Sequence, residues 1–326
     1  MPYFTVFTST YNRGYTLFRL YESLKNQGTT DFEWLIVNDG STDNTHQLVE
    51  EWIRKEKEFS IRYLEKENGG KPRAINYGIR YARGKFFFMV DSDDFLLPNA
   101  LSKMKNWCKE IENNSDYIGV GAARGFPDGS YIKGVSPIVN EQGYVDATNL
   151  QRIQFNLDAD MCEAYKTKIL KKYPMPEWPG EKFAPEQIAL NEIALDGYKL
   201  RWHSDIIYQC NYLDDGLTKG SKVLEKNNPM GYAMMYCHML KYPECSKKQK
   251  FYAACQVVAL SIVGGHIEYG FQGQNKRLIL CALIPGIFLA IRRRYQFSAY
   301  SARTAHPFQR NGAPFRFKLS KARQVD

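Results

Sequence analysis

Residues 85–98, KFFFMVDSDDFLLP, constrain the fold more than any other stretch, because five apolar residues, 86–90, run unbroken into Asp91, Ser92, Asp93 and Asp94. An apolar run of that length, framed by Gly84 and Pro98, reads as a strand buried on both faces, as parallel sheets require. In an open α/β sheet the carboxyl ends of the strands form the ligand crevice, so acids placed there face a site and not bulk solvent. Hard oxygen ligands suit Mg²⁺ or Mn²⁺, which in turn suit a diphosphate. The competing reading is a polar turn whose aspartates cap the next helix. For an isolated D-x-D that reading wins; the buried strand before it weighs the other way.

The chain leading to this strand repeats one grammar. FTVFT (residues 4–8) is a β-rich run that stops at Ser9, Thr10, Tyr11, Asn12, Arg13 and Gly14, after which Leu17, Leu20, Tyr21 and Leu24 recur at helical spacing. FEWLIV (residues 32–37) stops at Asn38, Asp39, Gly40, Ser41, Thr42 and Asp43 before a helix carrying Leu48, Val49, Trp52 and Ile53. Two β-loop-α units in succession predict a parallel sheet with right-handed crossovers. Ser41 or Thr42 fits a helix cap, and Asp39, taken alone, is better read as a turn residue. Residues 61–64 form a third strand, and Asn68, Gly69, Gly70, Lys71, Pro72 and Arg73 lead into a helix through Tyr81. Glycines before a helix that also carries Lys71 and Arg73 could offer backbone N–H groups and cations to phosphate, although neither the Walker nor the dinucleotide spacing is present. Three strand ends, at Thr10, Asp39 and Asp91, therefore converge on one side of one sheet, the arrangement a nucleotide needs.

In this order and spacing, FTSTYNRG, EWLIVNDGSTDNT, ENGGKPRAINYGIRYARG and FFFMVDSDD resemble the nucleotide-binding half of the family 2 glycosyltransferases. The resemblance covers residues 1–100 and implies the GT-A fold: an α/β, Rossmann-like, mostly parallel central sheet. It also implies that Thr10 and Tyr11 border the nucleotide base, that Asp39 hydrogen-bonds it, and that Arg73 lies near base and phosphates. Arg13, Lys71 and Ser92 would belong to the same nucleotide-sugar site, Asp91 would approach the ribose or the metal, and Asp93 would bind the metal, Mn²⁺ or Mg²⁺. Ser9 stands where the family often has proline.

Beyond residue 100, Leu101, Met104, Trp107, Cys108 and Ile111 predict an amphipathic helix, residues 117–121 a strand, and residues 125–143 a turn-rich stretch able to reach over sugar and acceptor. Asp158 and Asp160 precede Met161; of the two, Asp160 is the acceptor-side candidate, because the resemblance places an acid similarly. In KFAPEQIALNE (residues 182–192), Glu186 follows Pro185 in the first turn of a helix, where it could simply complement the helix dipole. The family commonly has Glu-Asp here, one acid deprotonating the acceptor hydroxyl; this chain has Glu186-Gln187. Glutamine cannot take a proton, so the base would be Glu186. Residues 201–209 read as a strand whose His203 is either a metal ligand, as late histidines are in some GT-A enzymes, or a structural residue. The YLDDGLT run at 212–218 is similar to the end of the catalytic region in bacterial members that build surface polysaccharide.

Two helices are expected over residues 230–240 and 251–263. The apolar run LILCALIPGIFLAI (278–291), flanked by Lys276, Arg277 and Arg292, Arg293, Arg294, is shorter than the roughly twenty residues a bilayer span takes. It is either a buried helix or an interfacial one whose arginines meet anionic lipid. The formal net charge of +9 is concentrated at this end. Residues 292–326 carry nine cations against Asp326 alone, a composition that suits nucleic acid, an anionic membrane surface or a merely solvated tail. Seven cysteines without a C-x-x-C pair suggest a reducing cytosol and no zinc site. Residues 1–9 lack the basic start and apolar core of a signal peptide.

These observations converge on an expected layout of a GT-A catalytic domain over 1–221 (nucleotide half 1–100, acceptor half 101–221), a helical region over 222–295 and a basic tail over 296–326. The expected activity is metal-dependent, inverting transfer of a sugar from a nucleotide diphosphate, UDP first, to a hydroxyl of a saccharide or lipid-linked acceptor in capsule, exopolysaccharide or lipopolysaccharide synthesis. The expected location is cytoplasmic or peripheral on the inner face of the membrane, with contact through 276–323; no nucleic-acid partner is expected. Two other classes remain: a nucleotidyltransferase, disfavoured because Ser9 to Gly14 holds a single glycine, and a non-catalytic nucleotide-sugar-binding subunit, favoured only by Glu186-Gln187.

Overall fold

A computed structural model describes residues 1–210, 221–273 and 275–304. The YLDDGLT run and most of the basic tail lie outside the described residues. The first hundred residues alternate strand and helix: β1 (Phe4–Thr10), α1 (Gly14–Lys25), β2 (Phe32–Asn38), α2 (Thr45–Lys55), β3 (Ser60–Glu65), α3 (Lys71–Tyr81), β4 (Phe86–Met89) and β5 (Phe95–Leu96). There follow α4 (Ala100–Ile111), β6 (Tyr117–Gly125), β7 (Tyr144–Ala147), a 3-10 helix (Asn149–Phe155), β8 (Met161–Lys166), α5 (Thr167–Leu170), α6 (Gln187–Leu195) and β9 (Lys199–Gln209). The helices α7 (Ser221–Asn227), α8 (Pro229–Met239), α9 (Lys247–Gly264), α10 (Lys276–Cys281) and α11 (Leu283–Thr304) close the described chain.

The strands form one sheet in the order β3-β2-β1-β4-β8-β6-β9-β5, with β7 paired to β9. The β1–β2, β1–β4, β2–β3 and β6–β9 pairs are parallel, whereas β8 runs against both β4 and β6. Alternation along β4 explains its unbroken apolar run. Phe86 and Phe88 enter the core on one face of the sheet and Phe87 enters the core on the other, all three fully buried. Each such side chain contributes about 1.5–3 kcal/mol by leaving water. Gly84 is required before β4 because a Cβ there would sit 2.1 Å from the Thr5 nitrogen.

The C-terminal helices have an apolar cluster of their own, centred on Ala254, Val257, Val258, Ile279 and Ala282. They dock on the sheet domain through the segment that leads to α6. Glu181 accepts from the Met230 and Gly231 N–H groups at 2.8 and 2.7 Å, so its carboxylate caps α8, where unsatisfied donors and the helix dipole favour an anion. Asn228 accepts from the Lys182 and Phe183 N–H groups. Helix α9 begins four residues before the stretch expected from its apolar pattern, because Ser246 and Gln249 form a reciprocal capping box.

The apolar run 278–291 is not one helix. It breaks at Ala282 between α10 and α11, and Pro285, lacking a backbone donor, lies in the first turn of α11, where none is needed. It is also neither wholly buried nor wholly interfacial: Ile279, Ala282 and Ala290 are buried while Ile284 and Phe288 are exposed. No helix among the described residues is long and apolar enough to cross a membrane.

Candidate active site

A cavity of about 710 Å³ opens at the carboxyl ends of β1, β2 and β4. Its walls include Ser9, Thr10, Tyr11, Arg13, Asp39, Gly70, Lys71, Asp91, Ser92 and Asp93 from the N-terminal half. The opposite wall is built by Arg124, Arg152, Asp160, Glu163, Lys182, Glu186 and Gln187. Thus Thr10, Tyr11, Arg13, Asp39, Lys71, Asp91, Ser92, Asp93, Asp160 and Glu186, all singled out in the sequence, meet in one space. Arg73 and His203 do not.

The loop ends are fastened to one another before any ligand is considered. Asn12 donates its N–H to the Ser41 hydroxyl and accepts from the Thr42 N–H, so Ser41 ties two loops together instead of capping α2. Asp39 is buried and accepts from Lys66 (2.6 Å), Gly69 N–H (3.0 Å) and Gly70 N–H (2.7 Å). The glycine N–H groups expected to face a phosphate are therefore spent on Asp39, an anion already seated at the N-terminus of α3. Gly70 has φ of 92°, and a Cβ there would fall 1.7 Å from the Lys182 carbonyl oxygen, so this contact between the two walls admits only glycine. The Arg73 guanidinium donates to the carbonyls of Gly69, Trp178 and Glu181 and pairs with Glu177, which accounts for its distance from the cavity.

Two cations, Lys71 and Arg124, join the two walls. The Lys71 ammonium lies 2.8 Å from Asp91 and 3.2 Å from Glu186. Asp91 also accepts from Arg124 at 3.0 Å, and its backbone N–H donates to the Tyr208 hydroxyl at 2.9 Å. Burial alone would raise the Asp91 carboxyl, but Lys71 and Arg124 outweigh it and hold it far below the usual carboxylate range. Burial would lower the Lys71 ammonium; Asp91 and Glu186 keep it firmly protonated. Arg124, stacked over the Tyr208 ring at 4.2 Å, also lies 3.6 Å from Asp94.

Asp93 behaves differently from its neighbour. Burial and then the Asp91 charge push its carboxyl upward, and among the described residues no cation pairs with it. A carboxylate whose charge Arg13 and Lys71 offset only in part fits a divalent cation. Among the described residues no group of three ligating side chains stands ready, as suits Mg²⁺ or Mn²⁺, which retain water and take phosphate oxygens beside one or two carboxylates.

Glu186 sits immediately before the first residue of α6, with φ −57° and ψ −27°, and its side chain makes no capping bond. Gln187 accepts from Asn149 at 2.8 Å, in a network that continues through Asn191 to Tyr242. Glu163 is the acid that the sequence reasoning passed over. It lies inside β8, buried, with Arg152 at 3.4 Å. Burial pushes its carboxyl up to about 7, against the pull of Arg152 and Arg124 and with the help of Glu186 and Asp160. The available signal was a lone acid in the apolar run MCEAY; Arg124, in GAARG, carried the same signal. Asp158 pairs with Lys133 and does not line the cavity, and none of residues 126–143 reaches it, contrary to the expectation for that stretch.

His203 lies outside the cavity. It is buried with its ring 4.0 Å from that of Trp107, nearly parallel, and burial pushes it down to about 4.

The sequence profile of the family described as glycosyl transferase family 2 matches residues 5–173. The uncharacterized glycosyltransferase MG025 homolog of Mycoplasma pneumoniae is 41% identical over 105 residues, 31% of this chain and 34% of that relative, so the likeness spans about a third of the relative's length. Among solved structures, S. aureus TarS 1-349 in complex with UDP-GlcNAc superimposes with a TM-score of 0.59 at 20% identity, covering 89% of this chain and 82% of that one. The mannosyltransferase PcManGT from Pyrobaculum calidifontis, in complex with GDP-Man and Mn²⁺, gives a TM-score of 0.53 at 14% identity over 90% and 88% of the two chains. These structural likenesses establish the fold, a mixed α/β GT-A architecture with a helical C-terminal region.

Proposed function

The chain belongs to glycosyl transferase family 2, and from that premise we propose that it transfers a sugar, with inversion, from a nucleotide diphosphate donor to an acceptor hydroxyl. The observation that carries the reading is the Lys71 bridge, which sets the strand-end aspartates and the candidate base Glu186 on either side of one cation in one cavity. Thr10, Tyr11, Arg13, Asp39 and Ser92 would line the donor, with Lys71 and Arg124 supplying positive charge near its phosphates. Arg73 would act at one remove, by bracing the loop that carries Gly69. Asp93, joined by Asp91 through whatever valence its two ion pairs leave, would hold the Mn²⁺ or Mg²⁺. When bound, that ion would offset charge on the diphosphate leaving group.

In the transfer step the acceptor hydroxyl gives its proton to the Glu186 carboxylate while its oxygen bonds to the anomeric carbon. The bond from that carbon to the diphosphate oxygen breaks, and its electron pair leaves with the nucleoside diphosphate. Attack from the face opposite the leaving group inverts the centre. Glu186 is favoured over Gln187 because an amide cannot accept the proton. Asp160, on the same wall, would face the acceptor. UDP is the nucleotide of first choice. The resemblance of the YLDDGLT run supports a role in bacterial surface-polysaccharide synthesis, with a saccharide or lipid-linked acceptor met at the cytoplasmic side. A catalytic unit over 1–221 and a helical unit over 222–295 belong to the same proposal, supported by the separate apolar cluster of the helices.

Calorimetric titration with UDP and with GDP, each with and without Mn²⁺, tests this reading alongside Asp93→Ala. Metal-dependent UDP binding that disappears in the variant is expected. Binding of GDP alone would replace the donor base, and binding of neither nucleotide under any condition would overturn the catalytic reading.

A further inference from the structure

Helices α10 and α11 present two apolar faces, and only one has a partner among the described residues. The inner face packs on α9. Ile279, Ala282 and Ala290 are buried, and a Cβ on Gly286 would fall 2.5 Å from Val258, so α11 lies as close to α9 as a glycine permits. On the outer side Leu280, Ile284, Ile287, Phe288, Ile291 and Tyr295 follow one another at intervals of four, three, one, three and four residues. From Ile284 onward that spacing keeps them on one stripe of α11, with Leu280 on α10 before the break at Ala282. All are exposed, Ile284 to 71% and Phe288 to 69%. A contiguous exposed apolar stripe of this kind marks a contact surface, whereas single exposed apolar residues do not.

The stripe is edged by cations. Exposed Lys276 and Arg277 precede it and exposed Arg292 lies at its far end. Arg293 by contrast turns inward to pair with Glu225 at 2.7 Å. The sequence that follows adds six further cations, from Arg303 to Arg323, against Asp326. We propose that the outer stripe of α10–α11 is a membrane-docking surface that lies in the headgroup layer of an anionic bilayer. An interfacial helix of this type buries its apolar face at the boundary of headgroups and acyl chains while flanking lysines and arginines meet anionic lipid. No helix among the described residues is fit to span the bilayer, so the contact is with one leaflet. Charge decides against a second copy of the chain on the stripe: pairing two copies there would bring together two sets of the same cations, with no acid on the stripe to offset them. The proposal stands apart from the catalytic reading and survives if that reading fails.

Flotation of the full chain with vesicles of phosphatidylcholine alone, and of phosphatidylcholine mixed equally with phosphatidylglycerol, tests it. The parent is expected to float with the anionic vesicles and to be released by salt. The double variant Ile284→Ser/Phe288→Ser, altered only at exposed positions, should bind at least tenfold more weakly, and Lys276→Gln/Arg277→Gln/Arg292→Gln should bind several-fold more weakly. A tryptophan placed by Phe288→Trp should shift its emission to the blue on anionic vesicles. The proposal is overturned if the parent ignores anionic vesicles, or if the serine variant binds as the parent does, which would assign binding to the basic tail alone. A concentration-dependent dimer lost in the serine variant would overturn it as well, by making the stripe a contact between copies.

Discussion

The two sides of the sheet bring charge to the cavity by different routes. On the β3-β2-β1-β4 side every strand points the same way, and the cavity residues Thr10, Asp39, Asp91 and Asp93 sit at or just beyond strand ends. On the other side β8 runs against both neighbours: Arg124 still sits next to the carboxyl end of β6, which runs with β4, but Glu163 faces the cavity from inside β8, and Arg152, Asp160, Lys182 and Glu186 come from segments between strands. Parallel strands deliver all their carboxyl ends to one rim, so short local motifs converge without long-range help. Antiparallel strands deliver alternate ends, and convergence then depends on which face of each strand is turned to the space. Lys71, reaching Glu186, and Arg124, reaching Asp91, link the two sides.

The largest expected effect tests whether the second side supplies the base. Glu186→Gln should lower turnover by about 10²–10⁴-fold while UDP affinity in calorimetry stays within about twofold. Unchanged turnover would remove Glu186 from that role and leave Glu163 and Asp160 as the acids on that wall to examine. The next effect concerns Glu163 and its dependence on pH. Its carboxyl is ordinary in the unfolded chain and pushed up to about 7 in the fold. The unfolded state therefore releases the proton first, so the fold is favoured at low pH and loses that contribution as pH rises through about 7. The full swing is about 3 kcal/mol at most. Glu163→Gln should flatten the melting temperature across that window; parallel profiles for parent and variant would show that Glu163 is ionised throughout. The smallest effect breaks the link itself. Lys71→Met removes the shared cation from Asp91 and Glu186. The Asp91 and Lys71 side chains each keep 30% of their surface exposed, so urea unfolding should show a loss of about 1–2 kcal/mol, below the value for a fully buried pair. A loss confined to one wall's local stability in hydrogen exchange would show that Arg124 already holds Asp91 alone.

The same contrast explains what could be read in advance. β1, β2, β3 and β4 and the helices between them were legible because strand, loop and helix each follow from adjacent residues, and the apolar run at 86–90 needs no partner to be recognised as doubly buried. Strand β8 was not anticipated, because MCEAYK is short and its acid interrupts the pattern. Arg73 stood beside Lys71 with the same charge, yet the structure spends it on three backbone carbonyls. His203 looked available in sequence and proved to be buried against Trp107. In both cases a side chain's duty depended on neighbours about a hundred residues away.

The amino-acid sequence by itself determined the alternating β-loop-α order, the buried central strand with its acidic end, and the family to which these belong, because periodicity and turn chemistry act over a few residues. Only the tertiary structure decided that Asp91 is held by two cations while burial and Asp91 push the Asp93 carboxyl upward, that the glycine loop serves Asp39, and that Glu163 faces the cavity with its proton poised near neutrality. Charge and desolvation act through space, and the distances that set them exist only after the chain has closed on itself.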